Sequence, residues 1–72
     1  MHNDTKQLGG VIRRAREFKE LTQAEIAKEI GVSLRTITAI ESGERNTSFV
    51  VVRRLIRALD IPAEIIFPST KN

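Results

Sequence analysis

Residues 33–39 (SLRTITA) carry hydroxyls at Ser33, Thr36 and Thr38 and one guanidinium at Arg35. Groups of this kind donate and accept hydrogen bonds, so the chemistry they offer is recognition rather than bond-making. On a helix at 100° per residue, Leu34, Ile37, Ile40 and Glu41 share one side, Arg35, Thr38 and Ala39 take the other, and Thr36 flanks. The outward side is short, polar and once positive. It lacks the long Glu/Lys pairs of an idle solvated helix, and a helix of that profile enters the major groove of DNA without obstruction.

The elements that must position this face are legible on either side. Thr22 followed by Glu25 is a capping box, which starts a helix at about Gln23. That helix turns Ile26, Ala27 and Ile30 inward and Glu25, Lys28 and Glu29 outward. Gly31 stops it in a left-handed conformation, Val32 folds back onto the core, and Ser33 caps the next helix. Two helices joined by a short turn containing glycine form the helix-turn-helix pattern, whose second helix reads bases. Spacing alone is equally compatible with an ordinary helical hairpin in a small bundle.

Outside this pair, Leu8, Val11, Ile12, Ala15 and Phe18 recur at helical spacing and predict a first helix over 6–19. Gly9 and Gly10 either weaken its first turn or mark close approach to another backbone. Residues 42–48 (SGERNTS) read as a loop, and Thr47 or Ser48 caps a fourth helix running to about Leu59, with Val52, Leu55, Ile56 and Leu59 inward. Pro62 opens a short fifth helix over 62–67, which Pro68 ends. Ile61, Ile65, Ile66 and Phe67 hold more apolar surface than so short an element can bury, which points to a partner face.

Seventy-two residues fit one domain, with an ordered core over about 6–67 and polar ends that fray. No cysteine is present, which excludes disulfides and thiolate metal sites. The single histidine, His2, lies in a polar end and reads as inert. With no paired carboxylates beside a glycine-rich pocket and no phosphate-cradling loop, neither an enzyme nor a metal or cofactor is expected. No apolar run reaches the length of a membrane span, so a soluble, cytoplasmic protein without membrane association is the expectation. Net charge is +3, and eight of the twelve basic residues are arginine, which suits phosphate contacts and equally suits solubility.

The string L-T-Q-x-x-I-A-x-x-I-G-V-S, followed by x-x-x-I-x-x-I-E-x-G, resembles the Cro/repressor-type helix-turn-helix (XRE) family. The likeness runs from about Leu8 to Phe67, with Gln23, Ala27, Gly31, Ile37, Glu41 and Gly43 at the family's positions. It implies an all-α, five-helix lambda-repressor-like domain acting as a DNA-binding transcriptional regulator. By position, Arg16 and Glu41 match a partly buried ion pair of the family. Glu41 projects inward, where a lone carboxylate is costly. Gln23 matches a residue placed where the second helix meets a phosphate, and a helix N-terminus favours an anion there; glutamine is also simply a good first-turn residue.

Many phage members of the family begin the reading helix with long amides, where this chain has Leu34 and Arg35. Leu34 can touch a thymine methyl or pack inward, and its angle on the inner edge favours packing. Arg35 is placed to bond guanine O6 and N7. Thr38 and Ala39 allow close approach, Ser33 and Thr36 can donate to a phosphate or a base edge, and Arg45 and Asn46 in the following loop are placed to hold the backbone.

The expected partner is double-stranded DNA, a near-palindromic operator bound by a homodimer whose contact is supplied by Ile61, Ile65, Ile66 and Phe67. No small-molecule ligand is expected. The alternative is an antitoxin-like or adaptor module that uses the same fold to grip a protein through Ile65, Ile66 and Phe67. The stretch E-S-G-E-R-N-T-S with A-L-D-I-P-A also resembles small stand-alone controllers of restriction–modification systems.

Overall fold

Hydroxyl caps and left-handed turns set the helix boundaries. The computed structural model describes residues 4–44 and 48–62, which form α1 (Asp4–Phe18), α2 (Gln23–Ile30), α3 (Leu34–Glu41) and α4 (Phe49–Ala58). The expected fifth helix falls outside the described residues apart from Pro62, as do Arg45, Asn46, Thr47, Ile65, Ile66 and Phe67. Thr22 and Glu25 close a reciprocal capping box at the start of α2. Ser33 and Ser48 accept from Thr36 and Val51 N–H at the starts of α3 and α4, each satisfying a donor that the first turn leaves open.

All four described helices end in the same way. A residue with positive φ follows each: Glu20 at 59°, Gly31 at 77°, Gly43 at 85° and Asp60 at 55°. The next residue sends its N–H five positions back, from Leu21 to Arg16 (3.1 Å), Val32 to Ala27 (2.9 Å), Glu44 to Ala39 (3.1 Å) and Ile61 to Ile56 (2.9 Å). These are Schellman closures, which satisfy carbonyls otherwise orphaned and turn the residue after the bend toward the core. Leu21 and Val32 accordingly pack against the core, and Ile61 joins it.

The core gathers Ile12, Ile26, Ala27, Ile37, Ile40, Leu55, Leu59 and Ile61. Helix α3 packs on both α1 and α2, and α4 packs on α2. Two contacts fix where α1 crosses the end of α3. One is steric: a Cβ on Gly9 would stand 2.5 Å from the Ile40 carbonyl oxygen and 2.7 Å from that of Glu41. Close approach, rather than a weak first turn, is therefore the reason for this glycine.

The other contact is ionic. Arg16 Nε donates to Glu41 Oε2 at 2.6 Å and Nη2 to Oε1 at 2.9 Å, while Nη1 donates to the Leu21 carbonyl at 2.8 Å. The Arg16 and Glu41 side chains are only 10% and 3% exposed. Gln23 Nε2 adds a bond to Glu41 Oε1 at 3.0 Å, tying the start of α2 into the same cluster. The hydrogen bond to Glu41 pushes the Arg16 pKa up from its ordinary value, against the opposing effect of burial, so this guanidinium stays charged at any working pH.

Several expectations need correction. Helix α1 begins at Asp4 and ends at Phe18, rather than spanning 6–19. Phe18 does not extend the inner stripe: it is 90% exposed, because it lies about 120° around the helix from Ile12. Ile61, expected at a dimer contact, is 7% exposed and belongs to the core, spent on closing α4. Helix α4 ends at Ala58, one residue before the expected Leu59, with Ser48 as its cap. Leu34 is exposed rather than packed inward. No described helix is long and apolar enough to cross a membrane.

Two pairs of substitutions test this account by urea unfolding. Gly9→Ala should lose about 2–3 kcal/mol, since the atoms it meets are backbone and cannot yield. Gly10→Ala, whose Cβ would meet only the Arg14 guanidinium at 3.7 Å, should gain up to about 1 kcal/mol. Arg16→Ala should cost about 3–5 kcal/mol by stranding the buried Glu41 carboxylate. Arg13→Ala, which loses only an exposed pair to Glu17 at 3.5 Å, should change stability by no more than about 0.5 kcal/mol. Equal losses within either pair would contradict the placement of these contacts.

Candidate nucleic-acid interface

The turn from α2 to α3 is three residues long, Gly31, Val32 and Ser33, so the second helix leaves at an angle set by the left-handed glycine and by Val32 packing on the core. Helix α3 then sorts its side chains by burial. Ile37 and Ile40 are fully inside, Thr36, Thr38 and Ala39 are half-buried, and Ser33, Leu34 and Arg35 are exposed. Arg35 is thus outward and Ile37 and Ile40 inward as the spacing predicts, while Thr38 and Ala39 are only half-open and Leu34 is out, so the exposed part of α3 is its N-terminal end.

The hydroxyls on this face are partly spent on the helix itself. Ser33 Oγ accepts from Thr36 N at 3.1 Å and lies 2.9 Å from Thr36 Oγ1. Thr38 Oγ1 donates to the Arg35 carbonyl at 2.9 Å, and Ser42 Oγ to that of Ala39 at 3.0 Å. The Arg35 guanidinium, by contrast, makes no hydrogen bond or ion pair among the described residues. A positive, multidentate donor thus stands out from a helix whose remaining polar groups lie close to its backbone.

A shallow groove of about 360 Å³ runs between α3 and the start of α4, lined by Ser33, Arg35, Thr36, Ala39, Glu44 and Ser48 among others. The sequence marks Glu44 and Ser48 as loop and cap only. Their place beside α3 follows from the reversal at Gly43, which composition marks as a turn without giving its direction.

Gln23 sits at the start of α2, half-buried, with its amide nitrogen committed to Glu41. No sequence signal marks that bond. The capping box uses the N–H groups of Thr22 and Glu25, so those of Gln23 and Ala24 remain in the open first turn. On α4, Arg53, Arg54 and Arg57 are exposed, and Arg54 Nη1 donates to the Ile30 carbonyl at 3.3 Å, bridging to the end of α2.

Comparison with known proteins meets the same segment. The sequence model of the Helix-turn-helix family matches residues 12–66. An uncharacterised HTH-type transcriptional regulator of Methanothermobacter thermautotrophicus is 41% identical over 49 residues, covering 68% of this chain and 71% of that protein. Another, from Methanocaldococcus jannaschii, is 36% identical over 52 residues, 72% of this chain and 79% of its own. The antitoxin HipB of Escherichia coli is 31% identical over 55 residues, 76% of this chain and 58% of that protein. Taken with the four described helices and a glycine turn that leads into α3, these matches show that the chain belongs to the Cro/repressor-type (XRE) helix-turn-helix family of DNA-binding transcriptional regulators.

Proposed function

We propose that this protein is a sequence-specific transcriptional regulator that lays α3 in the major groove and binds a near-palindromic operator as a homodimer in the cytoplasm. The observation that carries the reading is the Arg35 guanidinium, without a partner among the described residues, on the exposed start of a helix fixed at both ends. Arginine bonds guanine O6 and N7 bidentately, and the first residues of a reading helix are those nearest the base edges. Thr36, Thr38 and Ala39 let the helix approach closely, and Ser33 lies within reach of a phosphate. The open first turn of α2 at Gln23 suits a phosphate as well. Arg45 and Asn46 supply further backbone contacts in this reading.

The small reach of one module and its apolar surface both support pairing. One module of this kind buries too little DNA surface to discriminate well, and two reading helices about 34 Å apart meet successive major-groove faces. An apolar groove of about 250 Å³ is lined by Val11, Ala15, Phe18 and Pro62 among others. Ile65, Ile66 and Phe67, without the core residue Ile61, make the proposed dimer contact. Mass in solution checks it: a strict monomer at micromolar concentration, with no pairing on DNA, contradicts it.

The likeness to the antitoxin HipB supports a second reading, in which the chain also neutralises a toxin by direct contact. A toxin-like reading frame adjacent to the gene, and co-purification of its product, would distinguish it.

Selection of bound duplexes from a random pool tests the main reading, and two variants test its division of roles. Arg35→Ala should lose about 1–3 kcal/mol on the selected sequence and relax preference at one base pair, whereas Arg45→Ala should weaken all sequences alike and flatten the salt dependence. Equal effects of both variants on selected and random DNA would refute it.

A further inference from the structure

One side chain on the reading face has no use in hydrogen-bonded recognition. Leu34 is 49% exposed, and it belongs neither to the core nor to the partly buried residues packed around it. It stands at the first position of α3, beside Arg35. The hydroxyls of Ser33, Thr36 and Thr38 are bonded within the helix and its cap, so Leu34 and Arg35 are the two side chains that project from the start of the helix without such a bond among the described residues.

The major groove limits what such a leucine can meet. Base pairs present hydrogen-bond donors and acceptors there, and the apolar group among them is the C5 methyl of thymine. A methyl at the same atom is what 5-methylcytosine adds to cytosine. Consecutive residues on a helix are separated by 1.5 Å along its axis and 100° around it, so two exposed side chains at the leading end of a helix can reach adjacent base pairs from its two flanks.

Resting on the proposed reading role of α3, we infer that Leu34 and Arg35 read one base step together: a guanine through the guanidinium, and the C5 methyl of an adjacent pyrimidine through the leucine. The ligand is then a C5-methylated pyrimidine beside guanine, supplied by thymine in unmodified DNA or by 5-methylcytosine in methylated DNA. Binding would accordingly respond to cytosine methylation at that step.

The test uses the full chain and duplexes of the sequence selected above. Each thymine adjacent to a guanine is replaced in turn by deoxyuridine, which removes only the methyl. Cytosine and 5-methylcytosine are compared at the same positions. One position per half-site should weaken about fourfold on loss of the methyl, the worth of one buried methyl group, and 5-methylcytosine there should bind about fourfold better than cytosine. Leu34→Ala should remove both differences while its thermal unfolding stays that of the parent.

Indifference of the parent protein to the methyl at every position, or a penalty undiminished in Leu34→Ala, overturns the inference. If 5-methylcytosine is no better than cytosine, the response to methylation is overturned. Arg35→Ala on the same duplexes separates the two failures. If it loses discrimination at guanine while the parent ignores the methyl, the Leu34 assignment alone falls; if neither variant alters any preference, the reading role of α3 falls with it.

Discussion

The crossing of α1 over the end of α3 is the constraint on which the rest of the molecule depends. Eight residues are too few for α3 to hold its shape alone, so its direction is wholly tertiary. At its C-terminal end the Gly9 backbone lies against the Ile40 and Glu41 carbonyls, and Arg16 forks onto the Glu41 carboxylate. One contact sets distance and the other sets rotation. At its N-terminal end the Gly31 turn and Val32 tie it to α2. The groups that position the outward face are therefore not on it, so its exposed side chains take no part in holding α3 in place.

The same crossing explains why an ion pair is tolerated inside so small a domain. Burial of both charges is expensive, and their attraction offsets that cost only where geometry is good and remaining lone pairs are satisfied. Here Arg16 donates to three acceptors and Glu41 accepts from two residues. Among the described residues no buried side-chain nitrogen or oxygen is left without a partner. The cluster joins three segments, α1, the start of α2 and the end of α3, so it contributes a specific arrangement as much as stability.

What the sequence makes legible, and what it hides, divides along physical lines. Hydroxyl caps and glycine turns are marked by residue type, and so Thr22, Gly31, Ser33 and Gly43 could be read directly. Glu20 and Asp60 take the same left-handed conformation without glycine, at about 1 kcal/mol each, and nothing in composition marks them. Missing Asp60 means missing that Ile61 is the residue its closure turns inward. Phe18 and Leu34 lie on the margins of their apolar stripes at helix ends, Phe18 about 120° around from Ile12, and there spacing alone does not decide between packing and exposure. Arginine count misleads as well. Arg16 is committed to the core cluster, Arg13 to Glu17 and Arg54 to a carbonyl, so the number available to a polyanion is smaller than composition suggests.

The closure of α4 carries a consequence for how the apolar surface is shared out. Because Asp60 bends the chain and buries Ile61, the backbone emerges at Pro62 on the side of α1 that carries Val11, Ala15 and the exposed Phe18. Lys19 reinforces that edge by pairing with Asp60 at 2.9 Å, holding the ends of α1 and α4 together. Had Ile61 remained outside, the apolar surface would be more diffuse and the core one residue poorer. Drawn inward, it leaves an apolar strip bounded by a charged pair, and this strip shares no lining residue with the groove between α3 and the start of α4. The left-handed turn at Asp60 thus keeps this apolar surface of the domain away from the exposed start of α3.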